Sequence, residues 1–165
     1  MRTQDRAVEA VRFRHAFRQV PAPVAVVLVR TAEGGVVGIT CTSASSLSAD
    51  PPMAMVAVDD KTGVMPRIEQ AGRFSINYLA ADRAAWSRAF AGRGQDMAAL
   101  AHVIVPGRTP VPTLATGTVA VLECGLAAVH DGGDHSILTA HVLEARFQAD
   151  AEPLIYRAGR YGTFG

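Results

Sequence analysis

Apolar positions recur with two periods along the chain. Ala10, Phe13, Phe17 and Val20 fall at helical spacing among Arg6, Arg12, Arg14 and Arg18. That pattern predicts an amphipathic helix, packed by one face on the core and stopped by Pro21 and Pro23, with the arginines as its solvated face. From Val24 the period changes. Val24 to Val29 is continuously apolar and Val36 to Thr42 resumes as strand, while Glu33, Gly34 and Gly35 supply the turn of a hairpin. Met53 to Val58 is apolar on both faces, as in a central or barrel strand, and ends in Asp59, Asp60, Lys61 and Thr62. Thr62 is expected to cap a short helix that carries Met65 and Ile68 inward and closes at Gly72.

Phe74, Ile76 and Tyr78 then alternate with Ser75 and Asn77, which predicts a strand with one apolar and one polar face. Asp82 is expected to cap a second helix, on which Trp86 and Phe90 lie one turn apart and face the sheet. Residues 91–101, rich in small side chains, and 106–112, with three prolines, read as connections. Val119 to Val129 and Ser136 to Phe147 are the longest strand candidates, joined at Asp131, Gly132, Gly133, Asp134 and His135 by a hairpin signal. Leu154, Ile155 and Tyr156 offer a last short strand. Six or seven mostly hairpin-linked strands with two or three helices make a mainly β fold, a small closed or nearly closed antiparallel barrel.

The 165 residues are expected to form a single domain over 1–165. A net charge of +1 gives no reason to expect nucleic acid or an acidic membrane as partner. The 16 lysines and arginines include one lysine, Lys61. Cys41 and Cys124 both sit in apolar, strand-like surroundings, which favours a reducing compartment over a disulfide scaffold. With no apolar signal core in residues 1–19, a cytoplasmic location is expected.

Candidate chemistry gathers in Gly38 to Pro52, where Thr40, Thr42, Ser43, Ser45, Ser46 and Ser48 follow a strand and precede Pro51 and Pro52. The stretch reads either as an ordinary polar loop leaving a sheet edge, or as one whose hydroxyls and N–H groups converge on phosphate or carbonyl oxygens. The chain has no nucleophile elbow, no triad order and no paired catalytic carboxylates. Alternation along the strands scatters His130, Asp131, Asp134, His135 and His141 over both faces, so no metal is expected.

The order of these motifs resembles the short-chain flavin reductases of the FMN-binding split-barrel fold, which supply reduced flavin to two-component monooxygenases. The resemblance runs from Phe13 to Tyr161. It rests on Gly38, Thr40, Thr42, Ser43, Ser45 to Ser48 and Pro51-Pro52; on Gly72, Arg73, Phe74 and Asn77; and on Phe90, Ala91 and Gly92. Leu122, Glu123 and Cys124, then Gly133, Asp134 and His135, and finally Pro153, Leu154, Tyr156, Gly159 and Tyr161 complete it.

The resemblance implies an antiparallel, Greek-key-like split barrel, a homodimer, and hydride transfer from NADH or NADPH to FMN or FAD. It implies flavin contacts at Thr40, Cys41, Thr42, Ser43, Ser45, Ser46 and Ser48, with Phe90 and Tyr161, and a phosphate side at Asp59, Lys61 and Thr62. His135 would stand beside the flavin and the nicotinamide; by spacing alone it reads equally as a histidine bonded to its own turn, and Lys61 as a solvated turn lysine. Hydride transfer needs two rings held face to face and no strong acid or base, which agrees with the inventory. Ala44 stands where the family often has phenylalanine. Met97, Ala98, Ala140 and His141 also depart from its usual residues, so a flavin-binding module without reductase activity is the alternative reading.

Overall fold

The apolar run from Val24 to Val29 is continuous because this strand is buried on both faces. The structure, a computed structural model, describes residues 8–91 and 97–164. Helix α1 (Ala10–Phe17) leads through a turn to a two-residue strand, β1 (Ala22–Pro23), and then to β2 (Ala25–Arg30). Ala25, Val27 and Val29 enter one core with Phe74, Ile76, Val56, Val58, Leu138 and Ile68. Val24, Val26 and Leu28 enter another with Leu79, Phe90, Leu114 and Leu154. Each Val, Leu, Ile or Phe side chain among these, fully buried, is worth roughly 1.5–3 kcal/mol relative to exposure.

The predicted hairpin forms between β2 and β3 (Val36–Cys41), with Ala25 opposite Cys41 and Gly34 in the left-handed region at φ 86°. The hydroxyl stretch is only partly a loop. Ser45–Ala49 is an edge strand, β4, antiparallel to β5 (Pro52–Asp59), and the loop shrinks to Thr42, Ser43 and Ala44. Serine is a weak strand former, but here the partner strand supplies the hydrogen bonds that local propensity does not.

After a 3-10 turn at Asp60–Thr62 comes α2 (Met65–Ala71), which buries Met65 and Ile68 and closes at Gly72, φ 64°. Thr62 is not its N-cap. That position is Val64, and Thr62 Oγ1 donates to the Asp59 carbonyl at 2.7 Å instead. On β6 (Arg73–Leu79) Ser75 and Asn77 are fully buried, contrary to the one-sided pattern. Asn77 Nδ2 donates to Val26 O and Ser75 Oγ, and its Oδ1 accepts from Leu114 N. Ser75 Oγ donates to Pro112 O. These polar side chains hold a second layer onto the sheet, so burial costs them little.

Asp82 does not cap the following helix, α3 (Ala84–Ala91), but pairs with Arg83 in the 3-10 turn before it. Phe90 is fully buried on α3 and presses on Gly38, where a Cβ would sit 2.6 Å from Leu28 Cδ2 and 2.9 Å from Phe90 Cδ1. Only glycine permits that approach. The expected connection around Gly92, Arg93 and Gly94 lies outside the described residues.

Short strands β7 (Ile104–Pro106) and β8 (Pro112–Leu114) pair with each other. The long hairpin is β9 (Thr118–Asp131) and β10 (His135–Phe147). The chain ends in β11 (Ile155–Arg157) and β12 (Arg160–Gly162), which form a three-stranded sheet with β1. Among the described residues there are thus twelve strands rather than six or seven, the surplus being β4, whose serines read as loop, and pieces of two to three residues too short to carry a period.

The principal sheet has seven antiparallel strands in the order β3-β2-β6-β9-β10-β5-β4. The fold is mostly β, as expected, yet the sheet does not close: β3 and β4, consecutive in sequence, are its two opposite edges. Only Thr42–Ala44 joins them.

Helix α1 is the larger departure. None of its residues is buried, and Phe13 and Phe17 stack on each other, 51% and 63% exposed, rather than entering the core.

Candidate functional site

The split between β3 and β4 opens at the three-residue joint, and the joint is pinned from two sides. Ser43 Oγ donates to Ala57 O at 2.7 Å and accepts from Ala57 N at 3.3 Å, fastening the joint to β5. Ala44 is buried in the core, while Thr42 remains exposed. On the β3 side, Thr40 Oγ1 donates to Ser87 O at 2.7 Å, tying the strand end to α3. Tyr161 Oη lies 2.9 Å from Ser87 Oγ, so the C-terminal hairpin grips the same residue. Ser87 was not foreseen: a buried serine in a helix carries no local signal, and only the fold brings Thr40 and Tyr161 to it.

Beyond the joint, Ser45 pairs with Met55 and Ser46 with Ala54, and a bulge before Ser48 turns Leu47 outward, 47% exposed. Ser45 and Ser46 are exposed and Ser48 is half-buried. β3 and β4 each pair with one neighbour only, so each presents a row of unpaired backbone N–H and C=O groups along the split. Cys41 borders the split half-buried; burial pushes its thiol up, against hydrogen bonds from Ser43 and Ala44, so it stays protonated. Cys124, deep in the core, is pushed up to about 12 by burial. Neither is a thiolate nucleophile at neutral pH. Phe90 differs from the expectation: its ring is enclosed in the core, so it supports the site from behind Gly38 and offers no face to a ligand.

A second group of side chains gathers at the same end of β5. His135, at the start of β10, stands opposite Asp59, two residues beyond the Ala57 that Ser43 grips. Asp59 Oδ1 accepts from Lys61 N at 2.8 Å, and Ser136 Oγ donates to Asp60 Oδ1 at 2.7 Å. His135 Nδ1 lies 2.7 Å from Asp134 Oδ1. The His135 hydrogen bond, its charge and then Lys61 hold the exposed Asp134 carboxyl below its ordinary value. An ionised carboxylate only accepts, so Nδ1 is the donor in this pair, and whenever the ring carries no second proton Nε2 is an acceptor.

The structure therefore brings Lys61, Thr62 and His135 to one end of the sheet with the joint, while Tyr161 reaches it through Ser87. Asp60 and Ser136, to which sequence reasoning assigns no role, join them, as does Asp134 of the Gly133, Asp134, His135 motif. Among the described residues no three His, Cys, Asp or Glu side chains are placed to hold a metal ion. No helix of the described residues is long and apolar enough to cross a membrane.

Known proteins are similar to this chain in sequence and in fold. The chain is 35% identical over 152 residues to the FMN reductase (NADH) SmoA of Agrobacterium fabrum, covering 92% of this chain and 84% of that one. It is 35% identical over 144 residues to the reductase component of 4-hydroxyphenylacetate 3-monooxygenase from Thermus thermophilus, covering 87% and 89%. Among solved structures, the NADH:FAD oxidoreductase SgcE6 of Streptomyces globisporus, in complex with NAD and FAD fragments, superposes with a TM-score of 0.87 at 28% identity over 97% of each chain. The family model described as the flavin reductase like domain matches residues 17–165, and with the split seven-stranded sheet this establishes that the chain belongs to the flavin reductase-like family.

Proposed function

We propose that this chain is an NAD(P)H-dependent flavin reductase that passes reduced FMN or FAD to a partner monooxygenase. The observation that carries the reading is the split itself: two unpaired strand edges diverging from a pinned joint, lined by exposed hydroxyls, in a chain whose relatives bear reductase names. A flavin presents carbonyl and ring-nitrogen acceptors, an N–H donor and ribityl hydroxyls, which suit such a mixture of hydroxyl and backbone partners.

Bound flavin would supply the redox chemistry, as the acceptor of the hydride released when NAD(P)H becomes NAD(P)+, with a proton drawn from water to balance its two-electron reduction. The protein's part is positional. Thr42, Ser45, Ser46 and Ser48 would bind the flavin, with Thr40, Cys41 and Ser43 shaping the joint between them. Asp59 orders the turn that presents Lys61 and Thr62, which would hold the phosphate. His135, fixed by Asp134, would offer Nε2 to the carboxamide N–H of the nicotinamide and so orient its ring for transfer. Tyr161 supports Ser87 and, through it, Thr40.

The reading includes a single domain over 1–165, a homodimer and a cytoplasmic setting. Two separate free thiols suit a reducing compartment. The uncovered Phe13, Phe17 and Val20 suit a second copy of the chain as their cover. Mixing the purified protein with FMN or FAD and either nicotinamide should bleach the flavin band, and light scattering should report a dimer. Failure of both nicotinamides to be oxidised with both flavins would overturn the activity; a monomer would overturn the assembly alone.

A further inference from the structure

The C-terminal hairpin builds a second groove. Arg157 and Arg160 are directly paired across β11 and β12, so both guanidinium groups rise from one end of a two-residue turn. That turn, Ala158 and Gly159, has φ of 52° and 83°, and Ala158 is the only non-glycine residue with positive φ among those described. The left-handed region is unfavourable for alanine, and here it is held by Ala158 N donating to Arg18 O at 2.8 Å. The groove occupies about 530 Å³ between Gln19, Pro21, Ile155, Arg157, Arg160 and Tyr161. Its size is that of a nucleotide-scale site.

Charge is concentrated around it. Arg14, Arg18 and Arg157 line a neighbouring groove of about 440 Å³ that reaches Thr42, and Arg88 lies over the Tyr161 ring at 5.5 Å. Among the described residues none of these five arginines has a carboxylate within ion-pair distance. In a chain of net charge +1 this is a local excess, and it stands beside apolar and aromatic surface from Pro21, Ile155 and Tyr161. Arginine forks beside an aromatic ring and apolar walls fit a pyrophosphate joined to a purine. Arg157 borders both grooves, so one path leads from Thr42 to Arg160.

We propose that the Arg157–Arg160 groove binds the adenosine diphosphate moiety of a dinucleotide whose reacting ring lies at the β3–β4 split. This rests on the reductase reading, and FAD and NADH both carry that moiety. The test is calorimetric titration with ADP on the full chain and on Arg160→Ala, joined to steady-state kinetics. ADP should bind the natural chain and bind Arg160→Ala at least tenfold more weakly, with Arg160→Lys intermediate. A KM increase of tenfold for FAD, with that for FMN shifted less than twofold, assigns the groove to the flavin. The same split between NADH and reduced nicotinamide mononucleotide assigns it to the reductant. No binding of ADP, equal ADP affinity in Arg160→Ala, unchanged KM for both dinucleotides, or equal penalties on the mononucleotides would each overturn the inference. Should no flavin be reduced at all, the reductase reading falls, while the ADP titration still decides whether the groove takes this ligand.

Discussion

Ser43 and Ala57 exchange two hydrogen bonds, the serine hydroxyl donating to the Ala57 carbonyl at 2.7 Å and accepting from its N–H at 3.3 Å. A side chain here stands in for a ladder partner that the end of β4 does not provide, and it fixes where the split begins. Ser43→Ala removes the side-chain partner from both Ala57 groups, which are partly buried, and should cost about 1–2 kcal/mol, read as a lower urea midpoint with unchanged slope. The double variant Ser45→Ala, Ser48→Ala should behave oppositely: little change in midpoint, but flavin bound more weakly by up to a few kcal/mol at about 1–2 kcal/mol per hydrogen bond. Unchanged flavin affinity in the double variant would make this segment an edge strand and nothing more.

Asn77 makes three buried hydrogen bonds, to Val26 O, Ser75 Oγ and Leu114 N. Asn77→Leu fits the space yet strands a buried N–H and a buried carbonyl, each costing about 1–3 kcal/mol. The variant should lose about 2–5 kcal/mol in denaturant titration, far more than a strand residue facing water would.

Asn77 also marks the boundary of what the sequence discloses. A polar residue alternating with apolar ones signals a wet face unless a second layer covers it, and β8, which does the covering, is a three-residue strand with no period of its own. The β2–β3 and β9–β10 hairpins are legible because glycine-bearing turns and long apolar runs are local facts. β4 is not, because its pairing comes from β5 while its serines read as loop. Phe13 and Phe17 announce an apolar face by pattern, but the described residues do not bury it. Of the candidate site, the hydroxyls, Lys61 and His135 are identifiable by residue type, and Asp134 as the neighbour of His135 in its motif; Ser87 and the arginine pair depend on register and on a strained turn, which spacing does not encode.

Glu123 is 1% exposed, and its carboxylate accepts from Arg108 N at 2.9 Å and Thr109 N at 2.6 Å, with Arg146 Nη1 at 3.6 Å. Burial works to raise this carboxyl, but the donors on Thr109 and Arg108 and the Arg146 charge outweigh it, and the net direction is down. A carboxylate lowered in the folded state stabilises fully above its unfolded value, about 4.3, and the stabilisation is lost as pH falls through the folded value. Stability should therefore drop on acidification below about pH 4. Glu123→Gln should lower stability at pH 7 by about 1–3 kcal/mol and flatten that acid limb, read from urea midpoints at pH 7 and pH 3.5.

His135 is held by Asp134 with Nε2 left as acceptor, so its replacement should act on the nicotinamide rather than on the flavin. His135→Ala should raise KM for NADH about tenfold, the worth of one hydrogen bond of about 1.4 kcal/mol, with the flavin KM shifted less than twofold. Asp134→Asn should do the same more weakly, since an amide oxygen still accepts from Nδ1 but without charge. Equal effects on both substrates would place His135 in the fold of the hairpin alone.

Lys61 is exposed and stands among carboxylates, yet these are engaged elsewhere: Asp59 accepts from the Lys61 backbone, Asp60 from Ser136, and Asp134 faces His135. The ammonium is thus not neutralised by a close ion pair among the described residues, although Asp134 feels its charge. A phosphate contact by so exposed a lysine is worth up to about 1 kcal/mol. Lys61→Met should therefore weaken FMN by about three- to fivefold and leave riboflavin, which has no phosphate, within error. Because the contact is coulombic and solvated, the FMN penalty should shrink as salt rises from 50 mM to 0.5 M, where the screening length falls to a few ångströms. Equal losses for FMN and riboflavin, or a penalty independent of salt, would move the phosphate away from this turn and leave the arginine groove as the main cationic surface near the split.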